Sequence, residues 1–300
     1  MPTHLVTHTD TDGLGCEVIV RSVRGAVEAR RVEVHEVDEV VVALFAALGP
    51  APAGAEVIVA DHNLSAETAA QAGRFLEAGG SVRLFDHHRT TLHLAGLAWA
   101  VVDLGRSATR LCFDELGAGP RYREFAELVD DTDLGTWSDP RSSELATLSV
   151  SLRPEVFVAR FLEDPSCASW RPEEAALIDW EDRRMAEYVA ACEGAVRVYE
   201  AAGSRVGVLF AEEFKNAVAR HLMEKAGLDA VAQVNARTGK VGLRGNRRID
   251  LSQVAARLGG GGHAGAAALP LASLAAGADL ESLRSEVAAA VLGAAPEGGR

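Results

Sequence analysis

The segment 7–15, THTDTDGLG, places three side chains that bind metal ions on alternate positions, namely His8, Asp10 and Asp12. In an extended chain, side chains two residues apart point to the same side, with Cα atoms roughly 6–7 Å apart. Two carboxylates and an imidazole gathered in this way destabilise one another unless a cation lies among them. The segment therefore predicts a metal site. A capped turn with solvated aspartates is the alternative.

Three further polar clusters follow strand-like or helix-like segments. The run VIVADH contains Asp61, VRLFDHHRT contains Asp86, His87 and His88, and LVDDTDLGTW contains Asp131 and Asp133. In open α/β sheets, ligands bind outside the carboxyl ends of the strands. A single acidic cluster is a common surface feature, but four clusters at the ends of elements indicate one shared metal site.

The donor set of this site contains carboxylates and imidazoles and no thiolate. It favours Mn²⁺, with Mg²⁺, Fe²⁺ and Co²⁺ as alternatives. The carboxylates and imidazoles exceed the needs of one ion, so we predict two divalent ions about 3.5–4 Å apart. Such a pair makes a water reactive and stabilises phosphoryl oxygens during in-line displacement. The predicted chemistry is hydrolysis of a phosphate ester.

The composition excludes several classes of partner. With 30 basic and 43 acidic residues, the net charge of −13 argues against a general binder of long nucleic acids, including long duplexes, which needs a basic face. A short phosphorylated substrate remains compatible, because a bound cation or a few arginines reverse the local field. No apolar run reaches the ~20 residues of a membrane span, and the chain does not begin like a secretion signal. Four scattered cysteines suit reduced thiols, so we expect a cytoplasmic protein without a membrane partner.

The first half of the chain alternates apolar runs with helix-like stretches, which is typical of βαβ units around a parallel sheet. The predicted strands are LVTH, RRVEVHEV, AEVIVADH and SVRLFDHH, and the last two flank a helix over 65–80 with a serine cap. Residues 154–195 look helical. After residue 200 the sequence predicts a strand, a hairpin that turns at Thr238-Gly239, a short capped helix and a last helix over about 280–292. We place the boundary between two domains near 190–200.

The run GGGGH at 259–263 has its own physical logic. Consecutive glycines expose backbone N–H groups to a phosphate, and His263 adds a side-chain donor. A flexible linker is the alternative, but a capped helix precedes the run and small residues follow it. The strand KVGLRGNRR places Arg244 and Asn246 nearby, and Lys215 is a further candidate phosphate contact.

Taken in order, H-x-D-x-D-G at 8–13, Asp61, D-H-H at 86–88, D-x-D at 131–133 and G-G-G-H at 260–263 form a specific combination. With these motifs the chain resembles the DHH–DHHA1 phosphoesterases, particularly the two-domain nanoRNases, including the branch of oligoribonucleases and cyclic-nucleotide phosphodiesterases. The resemblance implies an α/β fold. A parallel-sheet DHH domain with flanking helices would cover 1–190, including a connecting helix from about 170. A smaller α/β DHHA1 domain with a mixed sheet would cover 200–300.

The resemblance also implies roles for individual residues. His8 and Asp10 would hold one ion, Asp12, His87 and Asp131 would hold the other, and Asp61 would bridge the two. Asp86 would be a ligand or would orient the histidine pair, and His88 would face the scissile phosphate. Arg89, Arg244, Gly261, Gly262 and His263 would bind the substrate phosphates. Asp131 is preferred because VDDT resembles the family's D-T pair, and Asp133 is the alternative.

We therefore predict a Mn²⁺-dependent phosphodiesterase that hydrolyses short oligoribonucleotides to 5′-mononucleotides through a two-metal-activated water. The C-terminal domain would hold the end of the substrate across an interdomain cleft. Phosphoesterase activity on 3′-phosphoadenosine 5′-phosphate, on cyclic or linear dinucleotides or on cyclic mononucleotides is the first alternative. A non-catalytic nucleotide- or RNA-binding regulator is the second. The oligomeric state, a homodimer included, stays open.

Overall fold

A computed structural model of the chain describes residues 3–49, 54–273 and 280–293. The chain divides into two compact units, 1–179 (unit 1) and 180–300 (unit 2). Unit 1 contains a five-stranded parallel sheet, and unit 2 contains a six-stranded mixed sheet. The predicted α/β architecture is confirmed.

Unit 1 is built around the strand order β2-β1-β3-β4-β5, and all of its strands run parallel. Its elements are β1 (Thr3–Thr7), α1 (Thr11–Arg24), β2 (Val27–Arg31), α2 (Val37–Leu48), β3 (Glu56–Ala60), α3 (Ala66–Glu77), β4 (Ser81–Asp86), β5 (Ala100–Val102), α4 (Ala108–Leu116), α5 (Arg123–Asp133), α6 (Pro140–Ser151) and α7 (Pro154–Glu163). The helix α8 (Pro172–Ala195) spans the division between the units.

The central strands of unit 1 are apolar because helices cover both faces of the sheet. Leu5 and Ile58 pack on the side of α1, α4 and α5, whereas Val6 and Val59 pack on the side of α2 and α3. The register pairs Thr7 with Ala60 and Ala60 with Phe85, so β1, β3 and β4 end level with one another. The polar residues that follow these strands therefore meet at one edge of the sheet.

Two local expectations have different outcomes. The helix predicted over 65–80 is confirmed as α3, with Ser65 accepting a hydrogen bond from the backbone of Thr68. The strand predicted over 30–37 is wrong in its placement: β2 ends at Arg31, and the backbone N–H of Glu36 donates to Glu33 O in a turn that leads into α2.

Unit 2 has the strand order β10-β11-β9-β8-β7-β6, in which only β7 and β8 are parallel. Its elements are β6 (Arg197–Ala201), β7 (Ser204–Phe210), α9 (Lys215–Ala226), β8 (Ala230–Asn235), β9 (Lys240–Gly245), α10 (Leu251–Arg257), β10 (Gly261–His263), β11 (Ala266–Pro270) and α11 (Leu280–Leu292). The predicted hairpin is confirmed as β8–β9, and Gly239 takes a positive φ in its turn. One apolar cluster packs α10 and α11 on the sheet, and another packs α9 on the opposite face.

Within the described ranges, none of the helices combines the length and the apolar character that crossing a bilayer requires.

Candidate metal centre

The H-x-D-x-D-G motif at 8–13 lies between β1 and the start of α1. Asp10 caps this helix, because its Oδ1 accepts from Gly13 N at 3.0 Å, and His8 Nδ1 lies 2.8 Å from its Oδ2. The hydrogen bond to Asp10 raises the pKa of His8. Burial alone would raise the pKa of Asp10, but the bonds from His8 and Gly13 lower it to about 2. A Cβ at position 13 would lie 2.3 Å from His8 O, so this turn requires glycine.

Asp12 reaches the site from within a helix. The expectation of an extended chain over 8–12 is wrong, because α1 begins at Thr11. Asp12 is fully buried, and its two carboxylate oxygens accept from Ala108 N and Thr109 N, each at 2.8 Å. Burial raises its pKa. The first turn of α4 therefore holds Asp12 in place.

Asp61 occupies the centre of the cluster. It follows β3 with a left-handed φ of 58°, a conformation that is costly for a side chain with a Cβ. Its Oδ2 lies 3.7 Å from His8 Nδ1 and has no hydrogen-bond partner among the described residues, while its Oδ1 lies 3.6 Å from His87 Nε2. Burial and the nearby charges of Asp12 and Asp10 raise the pKa of Asp61 well above its ordinary value.

His87 connects Asp61 to the end of α5. Its Nε2 lies 3.2 Å from Asp133 Oδ2 and 3.8 Å from Asp12 Oδ2. Asp133 Oδ2 is buried without a hydrogen-bond partner within the described part of the chain. Burial, together with the charges of Asp12 and Asp10, raises the pKa of Asp133 to about 8.

The structure brings Asp133, and not the preferred Asp131, into this cluster. Asp131 turns away, and its carboxylate accepts hydrogen bonds from Thr136 Oγ1, Ser138 N and Oγ, Asp139 N and Ser142 Oγ. Its pKa is lowered even though burial acts in the opposite direction, because Ser138 and Ser142 donate to it. The structure thus places Asp133, the alternative, where Asp131 was predicted to lie, and Asp131 instead fastens the loop between α5 and α6.

The D-H-H motif divides between two tasks. Asp86 is fully buried, accepts from His88 Nδ1 at 2.7 Å through Oδ1, and accepts from Thr91 Oγ1 through Oδ2. The hydrogen bond to Asp86 raises the pKa of His88, whose side chain is half exposed. Arg89 is exposed directly after this pair. Asp86 thus orients His88, while His87 faces the carboxylates.

The ligand atoms of the cluster form three groups, and within each group they all lie within 4.8 Å of one another. The groups are His8, Asp10 and Asp61; Asp12, His87 and Asp133; and Asp61, Asp86, His87 and His88. Asp61 presents Oδ2 to the first group and Oδ1 to His87. Asp61 and Asp133 each have a buried carboxylate oxygen without a partner among the described residues, and the pKa of each is raised. A divalent cation would stabilise the ionised form of such carboxylates. The residues present fit an oxygen- and imidazole-bound metal pair.

The raised pKa of Asp133 predicts a pH-dependent stability. The unfolded chain releases this proton near pH 3.8 and the folded, metal-free protein near pH 8, so the free energy of unfolding falls as the pH rises between these values. A divalent ion offsets the charge. At a Mn²⁺ concentration 100 times its Kd at pH 8, the melting temperature at pH 8 should rise by roughly 5 °C. The same concentration should raise it by less at pH 6, because the proton on Asp133 competes with the ion there. Thermal unfolding with Mn²⁺ or EDTA at both pH values measures this, and equal melting temperatures with and without metal at pH 8 would contradict it.

The predicted phosphate-binding residues of unit 2 lie on two strands, β10 and β9, that are separated by β11. Gly261, Gly262 and His263 form the exposed strand β10, and Arg244 lies on β9. Gly262 has a φ of 138°, and a Cβ there would lie 2.5 Å from Ala266 O, so the hairpin of β10 and β11 requires glycine. This geometry argues against a slack linker.

The other candidates of unit 2 have different contacts. Asn246 donates to Asp229 through Nδ2 and accepts from Arg248 N through Oδ1, so it braces the end of β9. Lys215 begins α9, and its side chain passes over Gly242 of β9. It therefore stays a candidate.

Two residues that contact the site, His62 and Thr91, were not predicted from the sequence. His62 is buried directly after Asp61, and its ring meets the edge of the His8 ring at a centroid distance of 5.3 Å. Thr91 is buried and donates to Asp86. A histidine after a buried strand was a weak signal for the first, and no sequence pattern identified the second.

No protein-family profile matches the chain. Oligoribonuclease NrnB of Bacillus subtilis is 28% identical over 282 residues, which cover 87% of this chain and 71% of that protein. Among solved structures, the pGpG-specific phosphodiesterase PggH from Vibrio cholerae superposes with a TM-score of 0.58 at 15% identity, covering 89% of this chain and 92% of that one. Exonuclease RecJ bound to manganese gives a TM-score of 0.55 at 18% identity, covering 98% and 90%. At these identities the two structures share the fold.

Proposed function

We propose that this chain, a nanoRNase-like protein of the DHH–DHHA1 type, hydrolyses short oligoribonucleotides to 5′-mononucleotides with two divalent ions, Mn²⁺ first among them. The observation that carries the proposal is the group of acids and imidazoles at one edge of the parallel sheet, where Asp61 and Asp133 have buried oxygens without a hydrogen-bond partner among the described residues. The likeness to an oligoribonuclease supports the substrate class, and the manganese in RecJ supports the metal.

The residues that would hold the ions follow from the groups described above. His8, Asp10 and Asp61 would hold one ion, and Asp12, His87, Asp133 and the second oxygen of Asp61 would hold the other. When bound, the ions polarise the phosphoryl oxygens and lower the pKa of water. The backbone N–H groups of α4 and the cap of α1 hold the carboxylates of Asp12 and Asp10 in place before any ion arrives.

His88 is the residue that would transfer a proton. Because Asp86 binds its Nδ1, the Nε2 atom is the one left to face the substrate, where it would donate a proton to the leaving oxygen. The hydrogen bond to Asp86 raises the pKa of His88, so the ring keeps its proton to a higher pH than an ordinary histidine. Arg89, exposed beside it, would neutralise phosphate charge.

Unit 2 would bind the substrate. Arg244 would offer a guanidinium to a phosphate, His263 an imidazole, and the edge strand of Gly261 and Gly262 a backbone N–H that points away from β11. Binding at the end of the substrate would favour short molecules without sequence readout.

The four cysteines are buried and free, which supports a reducing, cytoplasmic location.

A substrate panel tests this function. We expect Mn²⁺-dependent release of 5′-mononucleotides from RNAs of two to five nucleotides, complete loss of activity in EDTA, and weaker turnover of 3′-phosphoadenosine 5′-phosphate and cyclic mononucleotides. The likeness to PggH makes the linear dinucleotide pGpG the second candidate, and selective cleavage of pGpG over the ladder would favour it. Binding without hydrolysis in Mn²⁺ would indicate a regulator and contradict the proposal.

A further inference from the structure

We propose that Asn216 is a positioning residue for Arg244, which it orients toward a substrate phosphate without neutralising its charge. The inference rests on the proposed function, in which Arg244 binds that phosphate. Both residues belong to unit 2: Asn216 is the second residue of α9, and Arg244 lies near the end of β9. Arg244 Nε donates to Asn216 Oδ1 at 2.8 Å.

Two contacts fix the direction of the guanidinium. Besides the bond from Nε to Asn216, Arg244 Nη1 donates to the backbone oxygen of Leu243 at 2.9 Å. The guanidinium is a rigid planar fork, so fixing two of its nitrogens also fixes the third. Nη2 forms no hydrogen bond with any described residue. This nitrogen is therefore held ready for an external acceptor.

The charge of Arg244 is preserved because its partner is an amide. Other arginines of unit 2 bind carboxylates: Arg205 pairs with Glu200, and Arg184 pairs with Glu181 and Glu213. Arg244 is half-buried and forms no ion pair with any described residue, and burial lowers its pKa. An amide oxygen accepts a hydrogen bond without cancelling the positive charge. A half-buried arginine in this state binds an anion strongly.

The start of α9 is itself held in place. Phe214, directly before the helix, has a left-handed φ of 45° and packs its ring on Tyr188 at a centroid distance of 5.8 Å. Gln233 Nε2 donates to Lys215 O at 2.6 Å. These contacts fix the backbone on both sides of the helix start, so the side chain of Asn216 has a defined origin.

The sheet register aligns Arg244 with the glycine-rich strand. Ala266 of β11 lies opposite Arg244 on one side and opposite His263 on the other. Residues directly opposite one another project to the same face of a sheet. Val231 of β8, which also lies opposite Arg244, packs against α9. Asn216, Arg244 and His263 thus belong to one face of the sheet.

Steady-state kinetics of the full chain with Mn²⁺ and a 5′-phosphorylated RNA dinucleotide test the inference, with the variants Asn216→Ala, Asn216→Asp, Arg244→Ala and the double Ala variant. Asn216→Ala should raise KM about tenfold, with kcat within about twofold. Asn216→Asp keeps an acceptor but adds a neutralising charge. It should raise KM further than Ala does, although its melting temperature is at least that of Asn216→Ala. In the Arg244→Ala background, Asn216→Ala should add nothing to KM.

Gln253→Ala, which removes an amide that donates to Asp250 on α10, is the matched control and should leave KM unchanged. If Arg244→Ala leaves KM unchanged, the proposed phosphate site is wrong, and the inference fails with it. If Arg244→Ala raises KM but the single variant Asn216→Asp keeps the wild-type KM, Asn216 serves only as a structural acceptor. The inference is then overturned, while the proposed function stands. Additive effects of Asn216→Ala and Arg244→Ala on KM would also overturn it.

Discussion

Asp61→Asn is expected to reduce kcat by about 10³-fold or more, a loss of about 4 kcal/mol of transition-state stabilisation. Asp61 is the residue whose two carboxylate oxygens face different groups of ligand atoms, so its replacement affects both. The same substitution should raise the melting temperature of the metal-free protein at pH 8. Burial and the charges of Asp12 and Asp10 disfavour ionised Asp61, and a neutral amide removes that repulsion.

The opposite signs of these two effects make the prediction specific. A residue with a purely structural role would lose activity and stability together. Kinetics on a short RNA and thermal unfolding in EDTA measure the two effects, and Mn²⁺ should no longer stabilise the variant. Asp103→Asn is the control, because Asp103 follows β5 at the same edge but pairs with Arg106 and belongs to none of the metal groups. Full activity of Asp61→Asn, or a lower melting temperature without metal, would contradict the prediction.

The fold of unit 1 was predictable from sequence because its strands are short apolar runs that end in polar residues. The prediction of a strand over RRVEVHEV was wrong in its placement. Alternating apolar and charged residues in this segment resemble the pattern of a half-buried strand. In the structure the chain turns at 33–36, and Glu33 accepts a hydrogen bond from Thr9 of the first motif. Local hydrogen bonds close this turn, with Glu36 N donating to Glu33 O and Glu33 N donating to the Glu36 carboxylate, so the alternating pattern does not continue as a strand.

The sequence predicted which clusters form the candidate site, but it did not identify every side chain within them. The clusters around Asp61 and His87 converge because parallel strands end level, which a strand pattern alone implies. The choice within VDDTD depended on the phase of α5 and on the loop after it, and no short motif specifies these. The bond between Asn216 and Arg244 joins residues 28 positions apart, and their pairing is set by how α9 packs on β8 and β9.

Asp133→Asn and Asp131→Asn form a matched pair that decides this ambiguity. Asp133→Asn removes a carboxylate 3.2 Å from His87 Nε2, so it should lower kcat by about 10²-fold or more and weaken Mn²⁺ binding to a similar extent. Because the pKa of Asp133 is raised to about 8, its loss should also flatten the decline in metal-free stability between pH 6 and pH 8.

Asp131→Asn should do the reverse. It weakens a carboxylate that gathers donors from Thr136, Ser138, Asp139 and Ser142, so the protein should lose about 1 kcal/mol of stability, a modest amount because Asp131 is partly exposed. Its Mn²⁺ affinity should stay near that of the wild type. Calorimetric titration of Mn²⁺ and thermal unfolding of both variants measure the contrast. If Asp131→Asn lost the metal while Asp133→Asn kept it, the ligand would be Asp131. Its side chain would then have to leave Thr136, Ser138 and Ser142 and turn toward His87 when the ions bind.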